Sequence, residues 1–298
     1  MHTIDCIVSA PGKAILHGEH AVVHGKVALA VSLNLRTFLK LQATSTSEVC
    51  INLPNINTFL SWDASALQQL LQDKTTNHRN LKELDSELVG RLRELTGIEE
   101  GSTDARNMAV FAFLYMYLSI FAKSKALPSL TVTVWSELPT GAGLGSSAAY
   151  CASVAAALLS TQGALSSPLG PDGDTASWSG EELELINQWA FQGERIIHGN
   201  PSGVDNAVST WGGILRYQSG KITPLQRVPT LRILLTNTRV PRSTKTLVAG
   251  VKDKINKVLK WLHLTPRPVI SITATVTSVA LSSLGVQGIL LKNEKINK

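Results

Sequence analysis

The segment with the clearest chemical potential spans residues 139–149 and reads PTGAGLGSSAA. Its alternating glycines, Gly141, Gly143 and Gly145, allow the backbone to turn sharply and to approach a ligand closely. A helix that begins at Ser146 would present unpaired N–H groups and the positive end of its dipole to an anion. The pattern therefore predicts a phosphate-binding loop, in which Ser146 or Ser147 could also bind Mg²⁺ through its hydroxyl oxygen. A glycine-rich turn without a ligand is the alternative.

Two widespread phosphate-binding motifs do not match this loop. The Walker pattern needs Gly-Lys-Ser/Thr, whereas the chain has Gly145, Ser146 and Ser147 in succession. The dinucleotide fingerprint needs a third glycine at the position of Ser146. Neither of these two motifs explains the loop.

A second candidate cluster lies near the N-terminus, where Pro11 and Gly12 precede Lys13 and the segment 17–20 reads HGEH. A lysine just after a strand and a turn can reach a phosphate or a substrate oxygen as a point charge. Glu19 and His20 add hydrogen-bonding groups for a polar substrate. The spacing of the two histidines also suggests a metal pair, but only one neighbouring carboxylate and no cysteine support it. Ordinary loop histidines remain the alternative.

A third cluster comprises Glu194, near the end of a predicted helix, and the shaped turn at 198–206, HGNPSGVDN. Asp205 could act as a general base, and Glu194 could bind a metal ion. A solvated helix carboxylate and an Asx turn are the alternatives. Phosphoryl transfer needs a phosphate cradle, a divalent ion, a positive charge and a carboxylate beside the nucleophile. The sequence offers a candidate for each of the four.

Composition limits the remaining functions. The 298 residues are 44% hydrophobic and 17% charged, which is typical of a globular chain with a core. Of 28 Lys and Arg and 22 Asp and Glu, eight basic and two acidic residues lie in 251–298, so residues 1–250 hold 20 of each. This balance argues against nucleic-acid binding by the body of the chain. Three widely spaced cysteines argue against a disulfide framework and favour a reducing compartment. We also expect no secretory signal.

Hydrophobic patterns predict the elements that position these residues. Their order indicates an α+β fold without the regular alternation of a doubly wound sheet. The segment 269–291 lacks charge but is rich in hydroxyls, which favours a strand or a poorly folded segment over a membrane span. Strands are predicted at 4–10 (ending at the turn 11–12), 27–33, 37–42, 130–135, 214–217 and 231–236, and helices at 63–73, 80–95, 109–122, 146–159 and from the capping box at 179–182 to about 197.

The three clusters together resemble the GHMP small-molecule kinases. The similarity rests on Lys13 after Pro-Gly and on residues 141–149 and 200–205, and it covers roughly residues 5–250. It is most detailed for members that phosphorylate mevalonate, and it implies transfer of the ATP γ-phosphate to the 5-hydroxyl of mevalonate in isoprenoid and sterol synthesis. The implied fold is a GHMP N-terminal domain of the ribosomal protein S5 domain 2-like type, over residues 1–228, followed by a ferredoxin-like domain.

The resemblance also implies roles for single residues. Asp205 would accept the hydroxyl proton, and Lys13 would stabilise the developing alkoxide and contact phosphate. Ser147 and Glu194 would hold Mg²⁺. The nucleotide would contact Lys13, Asn55, Ser136, Gly141, Ala142, Gly143, Leu144, Gly145, Ser146 and Ser147, and mevalonate would contact Glu19, His20, Ser202 and Thr244. A homodimer, inhibition by prenyl diphosphates that compete with ATP, and a cytoplasmic location with peroxisomal association as a further option are also implied, without nucleic-acid or membrane partners.

The chain departs from this family after about residue 250. The family has a third glycine-rich loop near the phosphates, whereas Gly250, Gly285 and Gly288 are isolated here. We therefore expect residues 229–298 to form an incomplete ferredoxin-like domain with a divergent basic tail, which we interpret as the product of an alternative transcript or gene model. A catalytically inactive protein that binds a nucleotide or a partner is the alternative function.

Overall fold

The computed structural model describes residues 5–19, 21–71, 83–139, 141–166, 178–225, 250–254, 256–257 and 290–293. Within these residues, helices pack on a mixed sheet, which confirms the α+β prediction. The predicted strand at 231–236 and the boundary at 228–229 lie outside the described residues, as does most of 251–298. The domain division therefore stays a prediction.

The described strands form one sheet in the order β4-β3-β5-β2-β1-β8, and β6 joins β2 and β7. Neighbouring strands are antiparallel except β3 and β5, which are parallel; β4 and three helices lie between these two strands in the chain. The strands are β1 (Asp5–His17), β2 (Ala28–Ala43), β3 (Glu48–Leu53), β4 (Thr58–Asp63), β5 (Leu130–Ser136), β6 (Ile214–Gln218), β7 (Lys221–Pro224) and β8 (Leu290–Asn293).

The predicted end of the first strand at residues 11–12 is wrong. β1 continues to His17 and pairs with β2, with irregular register between Pro11 and Lys13. Gly12 permits this path, because a Cβ there would lie 2.5 Å from Leu138 Cδ2 and 2.7 Å from the Leu144 carbonyl oxygen. The two strands predicted at 27–33 and 37–42 are likewise one strand, β2. The strand therefore brings the backbone before Lys13 into close contact with the glycine-rich loop.

Six helices have defined bounds in the described residues, and α3, α4 and α5 pack together beside the sheet. The apolar run at 109–122 does form a buried helix, in which Phe113, Met116 and Tyr117 are inaccessible to solvent. None of the described helices has the length and apolar character that a membrane span requires. The helices are α1 (Ala64–Gln69), α2 (Ser86–Thr96), α3 (Ala105–Ile120), α4 (Ser146–Gln162), α5 (Gly180–His198) and α6 (Val204–Trp211).

Helix α5 begins with the predicted capping box. The Ser179 side chain accepts a hydrogen bond from the Glu182 N–H, and the Glu182 carboxylate accepts one from the Ser179 N–H at 2.8 Å. The other carboxylate oxygen accepts the Ser166 N–H at 2.6 Å. These bonds tie the start of the helix that carries Glu194 to Ser166, shortly after the end of α4.

Acid should weaken this cap selectively. Burial raises the pKa of the Glu182 carboxyl, but the hydrogen bonds from Ser166 and Ser179 outweigh it and lower the pKa from 4.5 to about 2. A carboxyl with a lowered pKa stabilises the fold above its unfolded pKa and loses that contribution as pH falls toward the folded one. We therefore expect the wild type to exceed Glu182→Gln in unfolding free energy at pH 6, and the difference to shrink between pH 4.5 and 2.5.

Urea unfolding of both proteins at each pH measures this difference. Glu184→Gln is a matched control, because Glu184 lies on the same helix, outside the cap. A difference between wild type and Glu182→Gln that is constant over this pH range would contradict the assignment.

Candidate functional site

A cavity of about 740 Å³ lies between β1, the glycine-rich loop and the facing ends of α5 and α6. It collects predicted residues from positions as far apart as 13 and 205. The predicted residues that line it are Lys13, Asn55, Ser136, Gly141, Gly143, Gly145, Ser146, Ser147, Glu194, Ser202 and Asp205. Residues from each of the three predicted clusters therefore line one cavity.

Lys13 and Asp205 form an ion pair in this cavity. Lys13 Nζ lies 3.2 Å from Asp205 Oδ2, and the side chains are 7% and 34% exposed. The Lys13 N–H also donates to the Leu144 carbonyl oxygen at 2.8 Å, which attaches its strand to the loop. Asp205 lies in the first turn of α6, after Gly203 at φ +84°. A fixed ammonium and a partly accessible carboxylate are thus held at hydrogen-bonding distance.

The loop before α4 has the backbone conformation that its glycines predicted. Gly141, Gly143 and Gly145 have φ values of +72°, +73° and +73°. A Cβ at Gly141 or Gly143 would meet nothing within 4 Å, whereas one at Gly145 would lie 2.7 Å from Lys13 Cγ. The first two glycines therefore leave the backbone open to a ligand, and the third gives space to the lysine.

Glu194 lies in the wall of the cavity with 2% of its surface exposed. Gly193 permits this position, because a Cβ there would lie 2.7 Å from Cys151 Sγ on α4. Burial raises the pKa of Glu194 to about 7; a hydrogen bond from Ser147 and the charge of Lys13 oppose the shift, and Asp205 adds to it. The carboxylate is thus held where a further positive charge would stabilise its ionised form.

The donor set beside Glu194 suits a hard cation. Ser147 Oγ and the Glu194 carboxylate could supply the oxygen ligands that Mg²⁺ prefers. The described residues contain no group of three or more His, Cys, Asp and Glu side chains that could hold a metal ion. Two protein oxygens, completed by phosphates and water, is the usual environment of Mg²⁺ in kinases. The residues therefore fit a nucleotide-associated magnesium ion.

Asn55 and Ser136 form another part of the cavity wall. The Asn55 side chain donates to the Ser136 carbonyl oxygen at 3.1 Å and accepts from the Ser136 N–H at 2.8 Å. The Ser136 and Thr37 hydroxyls are 2.8 Å apart. This network connects the turn Pro54–Ile56 to the end of β5 and holds both predicted residues in the wall.

Some predicted residues are not placed at the cavity. Glu19 is exposed and is not among the lining residues, and Ala142 and Leu144 belong to the loop without lining the cavity. His20 and Thr244 lie outside the described residues. Their roles stay predictions.

Sequence reasoning missed residues at the start of α3. Ser102, Thr103 and Met108 line the cavity together with Trp135. Asp104 caps α3 by accepting the Asn107 N–H, a signal that could have located this helix start before the apolar run. His198 also lines the cavity, although its place in the turn at 198–206 predicted no role for its side chain.

Comparison with known proteins agrees with this geometry. The family model described as "GHMP kinases N terminal domain" matches residues 108–213, which include the loop, Glu194 and Asp205. Residues 108–213 therefore match the N-terminal domain of the GHMP kinases. This assignment confirms the fold expected for the N-terminal region.

Curated proteins similar to this chain include mevalonate kinases from Bos taurus, 61% identical over 252 residues, and from Homo sapiens, 59% identical over 252 residues. Each alignment covers 84% of this chain but 63% of the relative, so the chain spans less than two thirds of their length. A crystal structure of a mevalonate kinase has a TM-score of 0.52 at 20% identity, covering 74% of this chain and 56% of that one. At that identity, the structure supports the fold alone.

Proposed function

We propose that this protein is an ATP-dependent phosphotransferase that transfers the γ-phosphate to the 5-hydroxyl of mevalonate. The observation that supports it most directly is the Lys13–Asp205 ion pair, at 3.2 Å, in the same cavity as the glycine-rich loop. Mevalonate as acceptor is supported by the shared name of relatives about 60% identical to the chain. The same name favours an active kinase over an inactive nucleotide-binding protein.

Each group in the cavity has a distinct task in this proposal. The open amides of residues 141–147 bind the phosphates and set their orientation. Asp205 accepts the proton from the acceptor hydroxyl, and Lys13 offers its charge to the alkoxide that develops as the proton leaves. The reaction is then accelerated mainly by positioning and electrostatics, as in other phosphoryl transfers.

Ser147 and Glu194 would hold magnesium in this site. When bound, the ion neutralises charge on the phosphates. Glu194 contributes its carboxylate from the close α4–α5 contact, where 2% of its surface is exposed. Asn55 and Ser136 would line the nucleotide, and Ser202 would face the acceptor.

A coupled ADP-release assay on the purified 298-residue chain tests the proposal. We expect turnover with mevalonate and little or none with homoserine or galactose under the same conditions. Preference for another acceptor would overturn the substrate assignment. Nucleotide binding without turnover on any acceptor would instead support the inactive alternative.

Replacing Glu194 by glutamine should separate stability from metal binding. Glutamine keeps the shape of the side chain and removes a charge that is buried at 2% exposure. We expect the melting temperature without ligand to stay equal or to rise, because an incompletely compensated buried charge destabilises a fold. The affinity for Mg·ATP should fall by roughly tenfold or more, since a direct metal ligand is lost.

Differential scanning calorimetry and titration calorimetry check the two halves of this prediction. Glu184→Gln, on the same helix outside the cavity, is the matched control and should change neither quantity. Undiminished Mg·ATP affinity in Glu194→Gln would remove Glu194 from the metal site.

Other properties implied by the resemblance remain proposals. They are homodimer formation, inhibition by prenyl diphosphates in competition with ATP, and a cytoplasmic location with peroxisomal association as a further option. Size-exclusion chromatography with light scattering tests the first, and inhibition kinetics at varied ATP tests the second.

A further inference from the structure

His198 contacts the proposed magnesium ligands without belonging to them. It lies one helical turn after Glu194 on α5, so the two side chains share a face. Its Nε2 is 3.1 Å from Ser147 Oγ and 4.0 Å from Glu194 Oε2. Its side chain is 53% exposed and lines the cavity. The imidazole therefore lies beside both oxygen donors, in a position that no step of the proposed reaction uses.

The chemistry of a serine ligand gives this position a use. A hydroxyl oxygen can bind a cation through a lone pair only if its proton points elsewhere, and that proton needs an acceptor. Glu194 offers acceptor oxygens, but its carboxylate is itself the other proposed ligand. His198 Nε2 lies at hydrogen-bonding distance from Ser147 Oγ. A neutral imidazole has one acceptor nitrogen, so His198 can take the proton while both oxygen ligands remain available to the metal.

We propose that His198 is a positioning residue, whose Nε2 accepts the Ser147 hydroxyl proton and thereby directs the oxygen lone pairs of Ser147 to the magnesium ion. This inference rests on the proposed function, because the magnesium site is part of it. Outer partners of this kind fix the orientation of a metal ligand, and their loss commonly lowers metal affinity by about 10- to 100-fold. His198 thus acts on magnesium through Ser147.

The experiment compares nucleotide binding with and without the metal in the full chain. A non-hydrolysable ATP analogue is titrated into wild type and His198→Phe, in EDTA and in saturating MgCl₂. Phenylalanine keeps a planar ring and removes the acceptor nitrogen. We expect the gain in affinity from Mg²⁺ to fall about tenfold in His198→Phe, while the metal-free Kd stays within about twofold.

Two further variants isolate the contact. His24→Phe makes the same replacement in the turn Val22–His24, away from the cavity, and should leave the magnesium gain unchanged. In a Ser147→Ala background, His198→Phe should add no further loss, because the group it positions is absent. His198→Gln restores an acceptor oxygen and should recover part of the gain in nucleotide affinity from Mg²⁺. It also replaces His198→Phe in the comparison if the phenylalanine variant fails to fold.

Each other outcome is decisive. An unchanged magnesium gain in His198→Phe, or a full additional loss in the Ser147→Ala background, would overturn the positioning role and leave the proposed function intact. An equal loss with and without metal would also overturn it, since His198 would then act on the nucleotide or on the fold. A wild type whose nucleotide affinity does not respond to Mg²⁺ would refute the magnesium site itself.

Discussion

Replacing Asp205 by asparagine should lower kcat by about 10²- to 10⁴-fold, the usual contribution of a general base. The substitution keeps the size and hydrogen-bonding reach of the side chain and removes its basicity. Because the amides that we propose to bind phosphate belong to residues 141–147, we expect the Kd for Mg·ATP to stay within a few-fold of wild type. Asp205→Ala should be at least as impaired.

The ion pair between Lys13 and Asp205 allows an effect on stability to be separated from an effect on catalysis. The Lys13 side chain is 7% exposed and its Nζ lies 3.2 Å from Asp205 Oδ2, so Asp205→Asn removes the ion-pair partner of a buried cation. Leaving one member of a buried pair uncompensated destabilises a protein by about 3–5 kcal/mol, whereas replacing both members is often neutral. The partial exposure of Asp205 places this pair at the lower end of that range.

The double variant Lys13→Met/Asp205→Asn should therefore recover stability without recovering activity. Steady-state kinetics and urea unfolding of the two single variants and the double variant form a complete cycle. Stability that returns together with turnover would show that the single variants lost activity through misfolding. Near-normal kcat in Asp205→Asn would remove Asp205 from the role of base.

The glycine-rich loop was predictable from the sequence because its geometry is local. Gly141, Gly143 and Gly145 occupy the alternate positions at which the backbone adopts positive φ. The helix begins at the next residue, Ser146. The capping box of α5 was predictable for the same reason, since its partners are three residues apart. Where a few neighbouring residues determine the backbone, the sequence pattern predicts the element and its end.

The course of β1 was not predictable in this way. Pro11 and Gly12 are typical of a turn. The strand nevertheless continues through these two residues, because β1 pairs with β2 both before and after them. The contact between Lys13 and Asp205 joins positions 192 residues apart, and local patterns give no distance between them. The requirements of phosphoryl transfer and the family resemblance, rather than a local pattern, connected these residues before the structure was known.

Gly145→Ala should impair turnover much more than Gly143→Ala, although both change a glycine of nearly identical backbone conformation. Their φ values are equal, at +73°, so each substitution carries a similar left-handed strain of about 1–2 kcal/mol. The surroundings differ: a Cβ at Gly143 would meet nothing within 4 Å, and one at Gly145 would lie 2.7 Å from Lys13 Cγ. The pair therefore separates backbone strain from displacement of the lysine.

Lys13 cannot move away from the added methyl group without a cost in free energy. The contact is with Cγ, near the start of the Lys13 side chain. The Lys13 backbone is itself held in place, because its N–H donates a hydrogen bond to the Leu144 carbonyl oxygen at 2.8 Å. Moving Cγ shifts the ammonium away from Asp205 and from the reacting oxygens. Misplacement of a catalytic group by about 1 Å can reduce the rate about 10²-fold, and this is the loss of kcat that we expect for Gly145→Ala.

Kinetics and thermal unfolding of the two variants decide between the two causes. Gly143→Ala should lose a similar amount of stability to backbone strain. Its methyl group enters the space that the loop leaves open to a ligand, so we expect KM for ATP to rise, whereas kcat at saturating ATP should stay within about fivefold of wild type because the lysine does not move. Lys13→Met combined with Gly145→Ala should be no slower than Lys13→Met, since the displaced group is then already absent. Equal loss of kcat in the two alanine variants would mean that the loop backbone, rather than the position of Lys13, limits catalysis.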